Sequence, residues 1–178
     1  MTDRGLMNNT IQNPTMLDVS GLLRGEERKI TFDVLLTPEL DVDGIEVNTP
    51  TRIKGTAVNL SGYMELDAEL TVEYETHCSR CLAPINRVMT HRITAPIAEA
   101  LENMDNEEYI IPESGNIDLS ELARETFFLN VPMAHLCRED CKGLCPKCGA
   151  DRNETDCGCI LKEKDPRWKA LEGFFDED

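Results

Sequence analysis

The eight cysteines are the residues of this chain whose spacing most directly indicates chemistry. They follow the pattern C-x2-C, a long interval, and then C-x3-C-x3-C-x2-C-x8-C-x-C. Close pairs of thiols in a protein of the reducing cytosol are typical of metal ligands rather than of disulfides. Four thiolates complete one tetrahedral site, so the pattern predicts about two structural zinc ions. The predicted ligands are Cys78, Cys81, Cys137, Cys141, Cys145, Cys148, Cys157 and Cys159.

Pairing of neighbouring ligands favours one division of the cysteines into two sites. Cys78, Cys81, Cys137 and Cys141 would form the first site, and the last four cysteines would form the second. An exchange of pairs between the sites is the alternative. Neither division leaves the open coordination position that a catalytic zinc needs, so the sites are expected to be structural.

Two enzyme classes also use closely spaced cysteines. The run Cys141, Cys145 and Cys148 has the C-x3-C-x2-C spacing of radical SAM enzymes, but it lies late in a chain that is short for a barrel. The Cys78–Cys81 pair could be a redox dithiol, which would require a βαβ context and a helix N-terminus. A redox or iron–sulfur enzyme that uses the clustered cysteines is the second interpretation.

Alternating residues predict the strands that carry the first cysteine pair. From residue 64 to residue 75, apolar and mostly acidic side chains alternate, as expected for a strand with one buried and one solvent-exposed face. Residues 85–97 show a looser alternation, so the C-x2-C pair between these segments is expected at a hairpin tip. Residues 28–36 predict another strand, and residues 45–60 predict two short strands interrupted near Pro50.

A helix is predicted over residues 118–130, capped by Asp118 and ended by Pro132. Its apolar residues Phe127, Phe128 and Leu129 are expected in the core. The fold class is α+β: an antiparallel sheet that could curl into a small barrel, a covering helix, and a C-terminal cysteine-rich zinc-binding segment. The predicted organisation is a tail at 1–15, a core at 16–136, a cysteine-rich segment at 137–170 packed on that core, and an acidic tail at 171–178.

The net charge of −16 argues against binding to DNA or to an anionic membrane surface. No apolar run approaches the roughly 20 residues of a membrane span, and the first residues lack the basic-then-apolar order of a signal peptide. A cytoplasmic protein is therefore expected.

Two surfaces could contact a partner. Residues 76–98 contain no acidic residue. The basic residues in this stretch and near the later cysteines could contact RNA. They could equally offset the negative charge of metal-bound thiolates. The possible RNA contacts are Arg80, Arg87, Arg92, Lys142 and Lys147. The acidic strand face could instead bind a basic protein. The possible protein contacts are Glu65, Asp67, Glu69, Glu73 and Glu75.

Several of these motifs together resemble a known family. The cysteine pair after an acidic strand, the Asp118-Leu119-Ser120-Glu121 motif, Val131-Pro132, and the run Cys-Lys-Gly-Leu-Cys-Pro at residues 141–146 are similar to the YceD family of bacterial large ribosomal RNA subunit accumulation proteins. The resemblance covers roughly residues 20–172. It implies a role in accumulation or processing of 23S ribosomal RNA, and it carries no catalytic residues.

The cysteine pattern predicts a non-enzymatic, zinc-binding factor, and the resemblance implies that it supports 23S ribosomal RNA accumulation and large-subunit biogenesis. Its partner would be a large-subunit precursor, contacted through a ribosomal protein or through the RNA. A protein–protein adaptor unrelated to ribosomes is the remaining alternative.

Overall fold

Long antiparallel strands dominate the computed structural model, which describes residues 15–37, 39–40, 42–98 and 109–159. Within these residues the elements follow one another in the order β1 (Met16–Asp18), α1 (Ser20–Leu23), β2 (Lys29–Leu36), β3 (Ile45–Glu46), β4 (Thr51–Leu60), β5 (Tyr63–His77), β6 (Pro84–Ile97), β7 (Asn116–Asp118) and α2 (Leu119–Asn130). The predicted α+β class is confirmed. The predicted tails lie outside the described residues, apart from Thr15.

The chain divides into two compact units. The first comprises Met1–Thr76 and Ile85–Met133, and the second comprises His77–Pro84 and Ala134–Asp178. The first unit contains both sheets, a two-stranded one of β1 with β7 and the five-stranded main sheet, together with both helices. The second contains all eight cysteines. The segment boundaries predicted from the sequence stay a prediction.

The main sheet of the first unit is built from antiparallel pairs of β2 with β4 and β4 with β5, while β3 and β6 also pair with β5. Alternate side chains of β5 are buried, as the period-two pattern predicted, because successive side chains of a strand point to opposite faces. The buried members are Leu66, Ala68, Leu70, Val72 and Tyr74. The break predicted near Pro50 lies between β3 and β4, but β4 has ten residues and is not the short strand that the sequence predicted.

Two central strands approach each other unusually closely at Gly55 of β4. A Cβ atom at Gly55 would lie only 2.4 Å from the carbonyl oxygen of Asp67 and 2.7 Å from the Cβ of Ala68. Glycine is required here because any side chain would collide with the backbone of β5. Among the described residues no pairing joins β2 to β6, so the small barrel that the sequence left open is not formed.

Helix α2 begins at the predicted cap and packs one face onto the sheet. The carboxylate of Asp118 accepts hydrogen bonds from the backbone N–H groups of Ser120 at 2.8 Å and Glu121 at 3.2 Å. Phe127 is fully buried and meets Tyr74 edge-on, with ring centroids 5.6 Å apart. The covering helix is therefore present.

The prediction that all three apolar residues near the end of α2 lie in the core was wrong for two of them. Phe128 is 42% exposed and Leu129 is 83% exposed. Consecutive residues of a helix point about 100° apart, so only one of them can face the sheet directly. Phe128 instead lies under the Arg124 guanidinium, 5.8 Å from the ring centroid.

Candidate metal centre

All eight cysteines gather into two groups of four in the second unit. The first group is Cys78, Cys81, Cys137 and Cys141, and we call it the buried cluster. The second, which we call the exposed cluster, consists of Cys145, Cys148, Cys157 and Cys159. Within each group all four sulfur atoms lie within 4.8 Å of one another. This division is the one that pairing of neighbouring ligands favoured.

Distances within the buried cluster fit a single tetrahedral ion. The sulfur atoms of Cys78 and Cys141 are 3.8 Å apart, and those of Cys81 and Cys137 are 3.7 Å apart. An ion with metal–sulfur bonds of about 2.3 Å holds its sulfurs about 3.8 Å apart. A disulfide requires about 2.05 Å, and a multi-iron cluster, with irons and sulfides between the ligands, would spread the four thiolates beyond the 4.8 Å within which all four lie here. The buried cluster could therefore hold one metal ion, and the exposed cluster, whose four sulfurs are gathered within the same limit, could hold another.

The first C-x2-C pair lies on a tight turn formed by residues 78–83. The backbone N–H of Cys78 donates to the carbonyl of Ala83 at 2.8 Å, and that of Leu82 donates to the carbonyl of Cys78 at 2.9 Å. Leu82 has a φ of 60°, in the left-handed region that only glycine enters without strain. This geometry turns the chain around the sulfur of Cys78.

Residues 145–150 repeat that turn bond for bond. The N–H of Cys145 donates to the carbonyl of Ala150 at 2.8 Å, and that of Gly149 donates to the carbonyl of Cys145 at 2.8 Å. Gly149 occupies the position of Leu82 and has a φ of 75°. Sequence reasoning missed this repeat, although both turns have the sequence pattern Cys-x-base-Cys-x-Ala.

Backbone amides lower the pKa of the first thiol in each turn. Hydrogen bonds from the backbone of Cys137 and Cys81 lower the pKa of Cys78 to about 6. Those from the backbone of Cys148 and Lys147 lower the pKa of Cys145 to about 6. Amides directed at a sulfur stabilise the thiolate, which is the form that binds metal.

Another thiol in each cluster shifts in the opposite direction. Burial raises the pKa of Cys137 to about 12, and hydrogen bonds with Cys148 and Cys157 raise the pKa of Cys159 to about 12. Four thiols this close cannot all ionise by themselves, because each thiolate opposes the next. A divalent cation would remove that opposition and allow all four to bind as thiolates.

The two clusters differ in their exposure to solvent. In the buried cluster Cys78, Cys81 and Cys141 are all buried, whereas in the exposed cluster only Cys145 is. Cys148 is exposed. The exposed cluster is therefore the one more open to chelators and oxidants.

Backbone contacts connect the hairpin tip to the segment that carries Cys137 and Cys141. The backbone of Ser79 donates to the carbonyl of His135 at 2.7 Å, and the His135 N–H donates to the Ser79 hydroxyl oxygen at 3.0 Å. The Arg80 guanidinium donates to the carbonyl of Cys141 at 2.8 Å. These contacts hold together ligands that are far apart in sequence.

Two of the residues predicted to contact RNA already bind groups within the protein. Arg80 bonds the carbonyl of Cys141, and Arg92 forms a bidentate ion pair with Asp67 at 2.9 and 2.7 Å. Arg87 is partly buried on β6, in the first unit, and Lys142 and Lys147 are exposed in the second.

The predicted acidic contacts divide into paired and unpaired residues. Asp67 pairs with Arg92, and Glu69 pairs with Lys54 at 2.7 Å. Glu65 accepts a hydrogen bond from the Tyr63 hydroxyl at 3.1 Å. Glu73 and Glu75 are exposed near the end of β5 and form no ion pair within the described part of the chain. Glu75 lies directly opposite Glu46 of β3 in the strand register.

Comparison with known proteins supports the resemblance found in the sequence. A family model described as "Large ribosomal RNA subunit accumulation protein YceD" matches residues 66–175, which include every cysteine of both clusters. The chain belongs to the YceD family. Membership supports a ribosome-related role for this YceD protein.

Curated relatives of this YceD protein come from bacteria and from a plant. An uncharacterized protein of Mycobacterium tuberculosis is 28% identical over 144 residues, covering 70% of this chain and 69% of the relative. The uncharacterized protein YlbN of Bacillus subtilis is 27% identical over 134 residues, covering 73% of this chain and 77% of the relative. The chloroplastic YCED homolog 1 of Arabidopsis thaliana, named a large ribosomal RNA subunit accumulation protein, is 41% identical over 60 residues, covering 34% and 19% of the two chains.

No solved structure matches the chain. In the described residues, neither helix has the length and apolar character needed to span a bilayer.

Proposed function

We propose that this YceD protein is a non-enzymatic zinc-binding factor that acts in the cytoplasm to support 23S ribosomal RNA accumulation and large-subunit biogenesis. The observation that carries the proposal is the match of the family model across the region that contains both four-cysteine clusters. Four cysteines fill a tetrahedral shell and leave no position for substrate or water, which favours a structural role for the metal. The zinc would order a segment that has few apolar side chains of its own.

The metal assignment predicts about two zinc ions per chain, one for each set of four thiolates. Elemental analysis of protein purified without added metal measures this ratio directly. Iron accompanied by visible cluster absorption would support the iron–sulfur alternative and overturn zinc. A metal-free protein with its cysteines in disulfides would overturn metal binding altogether.

We further propose that the direct partner is a basic protein of the large-subunit precursor. Glu73 and Glu75 are exposed and unpaired among the described residues, and Glu75 faces Glu46 across the strand pair. Like charges directly opposite each other are destabilising, and a cationic partner would relieve that repulsion. Arg80 and Arg92, by contrast, already bond groups of this chain.

Charge reversal distinguishes a protein partner from RNA. The double variant Glu73→Lys, Glu75→Lys should lose most of its cosedimentation with 23S precursor particles. Loss of a single hot-spot contact would already weaken the affinity by at least about tenfold. The variant Lys142→Glu, Lys147→Glu should retain it. A matched control, Glu125→Lys with Glu154→Lys, makes the same change in net charge at exposed glutamates elsewhere.

Two results would contradict this assignment. If the lysine reversal abolishes cosedimentation and the glutamate reversal does not, RNA is the contact. If all variants sediment with the particles and cells lacking the protein have normal 23S levels, the ribosomal role itself fails.

A further inference from the structure

Asn153 belongs by sequence to the exposed cluster, yet its side chain contacts the buried one. It lies between Cys148 and Cys157, in the loop that joins the two halves of the exposed cluster. Its Nδ2 atom is 3.4 Å from the sulfur of Cys141, within hydrogen-bonding distance for a sulfur acceptor. Asn153 is therefore a direct neighbour of a ligand to the other site.

The side-chain amide of Asn153 uses its full hydrogen-bonding capacity. Its Oδ1 accepts from the backbone N–H of Lys142 at 2.8 Å and from the Arg138 guanidinium at 2.8 Å. Its Nδ2 also donates to the carboxylate of Asp151 at 2.7 Å. Because the amide oxygen accepts two hydrogen bonds and the amide nitrogen donates two, the orientation of the amide is fixed. Its partners Arg138 and Lys142 lie on either side of Cys141 in the sequence.

The loop that presents Asn153 has links toward both clusters. The backbone N–H of Arg152 donates to the carbonyl of Gly143 at 3.0 Å, which joins the loop to the segment that follows Cys141 of the buried cluster. The loop is flanked by ligands of the exposed cluster on both sides, and its residues 151–156 are partly or fully exposed. Since the loop lacks an apolar core of its own, the metal at the exposed cluster would fix its conformation.

We infer that Asn153 is a positioning residue that couples the two metal centres: a metal at the exposed cluster holds Asn153 against Cys141 and so strengthens metal binding at the buried cluster. This inference rests on the proposed metal binding by both clusters. An N–H donor to a ligating sulfur stabilises the thiolate and fixes its direction, and loss of such partners weakens metal affinity by about 10- to 100-fold. Coupling is reciprocal, so metal at the buried cluster also strengthens binding at the exposed one.

Chelator competition on the zinc-loaded protein tests the inference. Asn153→Ala should weaken the buried site by about tenfold or more while the protein still binds two ions under zinc excess. Asn153→Asp should weaken it further, because a carboxylate oxygen then faces the Cys141 thiolate. Thr155→Ala is the matched control, an exposed residue of the same loop that should leave both affinities unchanged.

A spectroscopic readout separates this role from simple loop support. In the cobalt-substituted protein, loss of the donor to Cys141 should shift the sulfur-to-metal charge-transfer band of the buried site. Removing the exposed site with Cys148→Ser and Cys159→Ser should weaken the buried site as Asn153→Ala does, and adding Asn153→Ala to that variant should change little.

These measurements distinguish a failure of the coupling from a failure of the proposed function. If Asn153→Ala and Asn153→Asp bind both ions with wild-type affinity and an unshifted band, the coupling is overturned while metal binding stands. If the wild-type protein binds no metal, the proposed function fails first.

Discussion

Cys81→Ser should release the metal of the buried cluster and remove hydrogen-exchange protection from residues 77–84 and 134–145. The buried cluster joins ligands that are distant in sequence: Cys78 and Cys141 are 63 residues apart, and Cys81 and Cys137 are 56 apart. Such a cross-link restricts the unfolded chain more than a local one, because the entropy of loop closure grows with loop length. The few backbone contacts around Ser79 and Arg80 would not hold the segment alone.

Cys148→Ser is the matched comparison within the exposed cluster. All four of its ligands lie within residues 145–159, so loss of its metal should remove protection mainly there. The strands of the first unit should remain protected in both variants, since their core of Leu66, Leu70, Val72 and Phe127 contains no cysteine.

Hydrogen exchange of both variants at equal, excess zinc is the measurement. Equal loss of protection across the whole chain in both would contradict the separation of the two clusters. Unchanged protection in Cys81→Ser would contradict a structural role for the buried cluster.

Phe127→Ala should lower the free energy of unfolding of the first unit by about 3–5 kcal/mol. Phe127 is fully buried, and its ring meets that of Tyr74 between α2 and β5. Truncation would leave a cavity under the helix and remove an aromatic pair that contributes about 0.5–1.5 kcal/mol beyond its buried area. Such a loss is a large fraction of the roughly 5–15 kcal/mol that stabilise a typical domain.

The neighbouring Phe128→Ala provides the control, because it removes the same ring from the same helix. Phe128 is 42% exposed and contacts Arg124, so its loss should cost no more than about 1 kcal/mol. Urea denaturation of zinc-loaded protein, followed by circular dichroism, measures both. Similar losses in the two variants would contradict the packing of α2 described above.

Local patterns in the sequence predicted β2, β5, β6 and the capped helix, and they favoured the division of the cysteines into the two groups described above. Alternation along β5, the carboxylate of Asp118 and the ligand spacing all act over a few residues. Each reflects a short-range rule, either the two-residue strand repeat, the cap at a helix start or the reach of a metal ligand. These rules are readable without knowing which segments meet.

Tertiary structure alone decided the contacts between distant residues. The pairing of β1 with β7, the choice of Phe127 over Phe128, and the ion pair of Arg92 with Asp67 all depend on which segments meet. The same holds for Asn153, whose sequence neighbours belong to one cluster and whose amide contacts the other. Sequence periodicity identifies the face of an element, whereas its partner is chosen by the packing and hydrogen bonding of the whole chain, which no local pattern encodes.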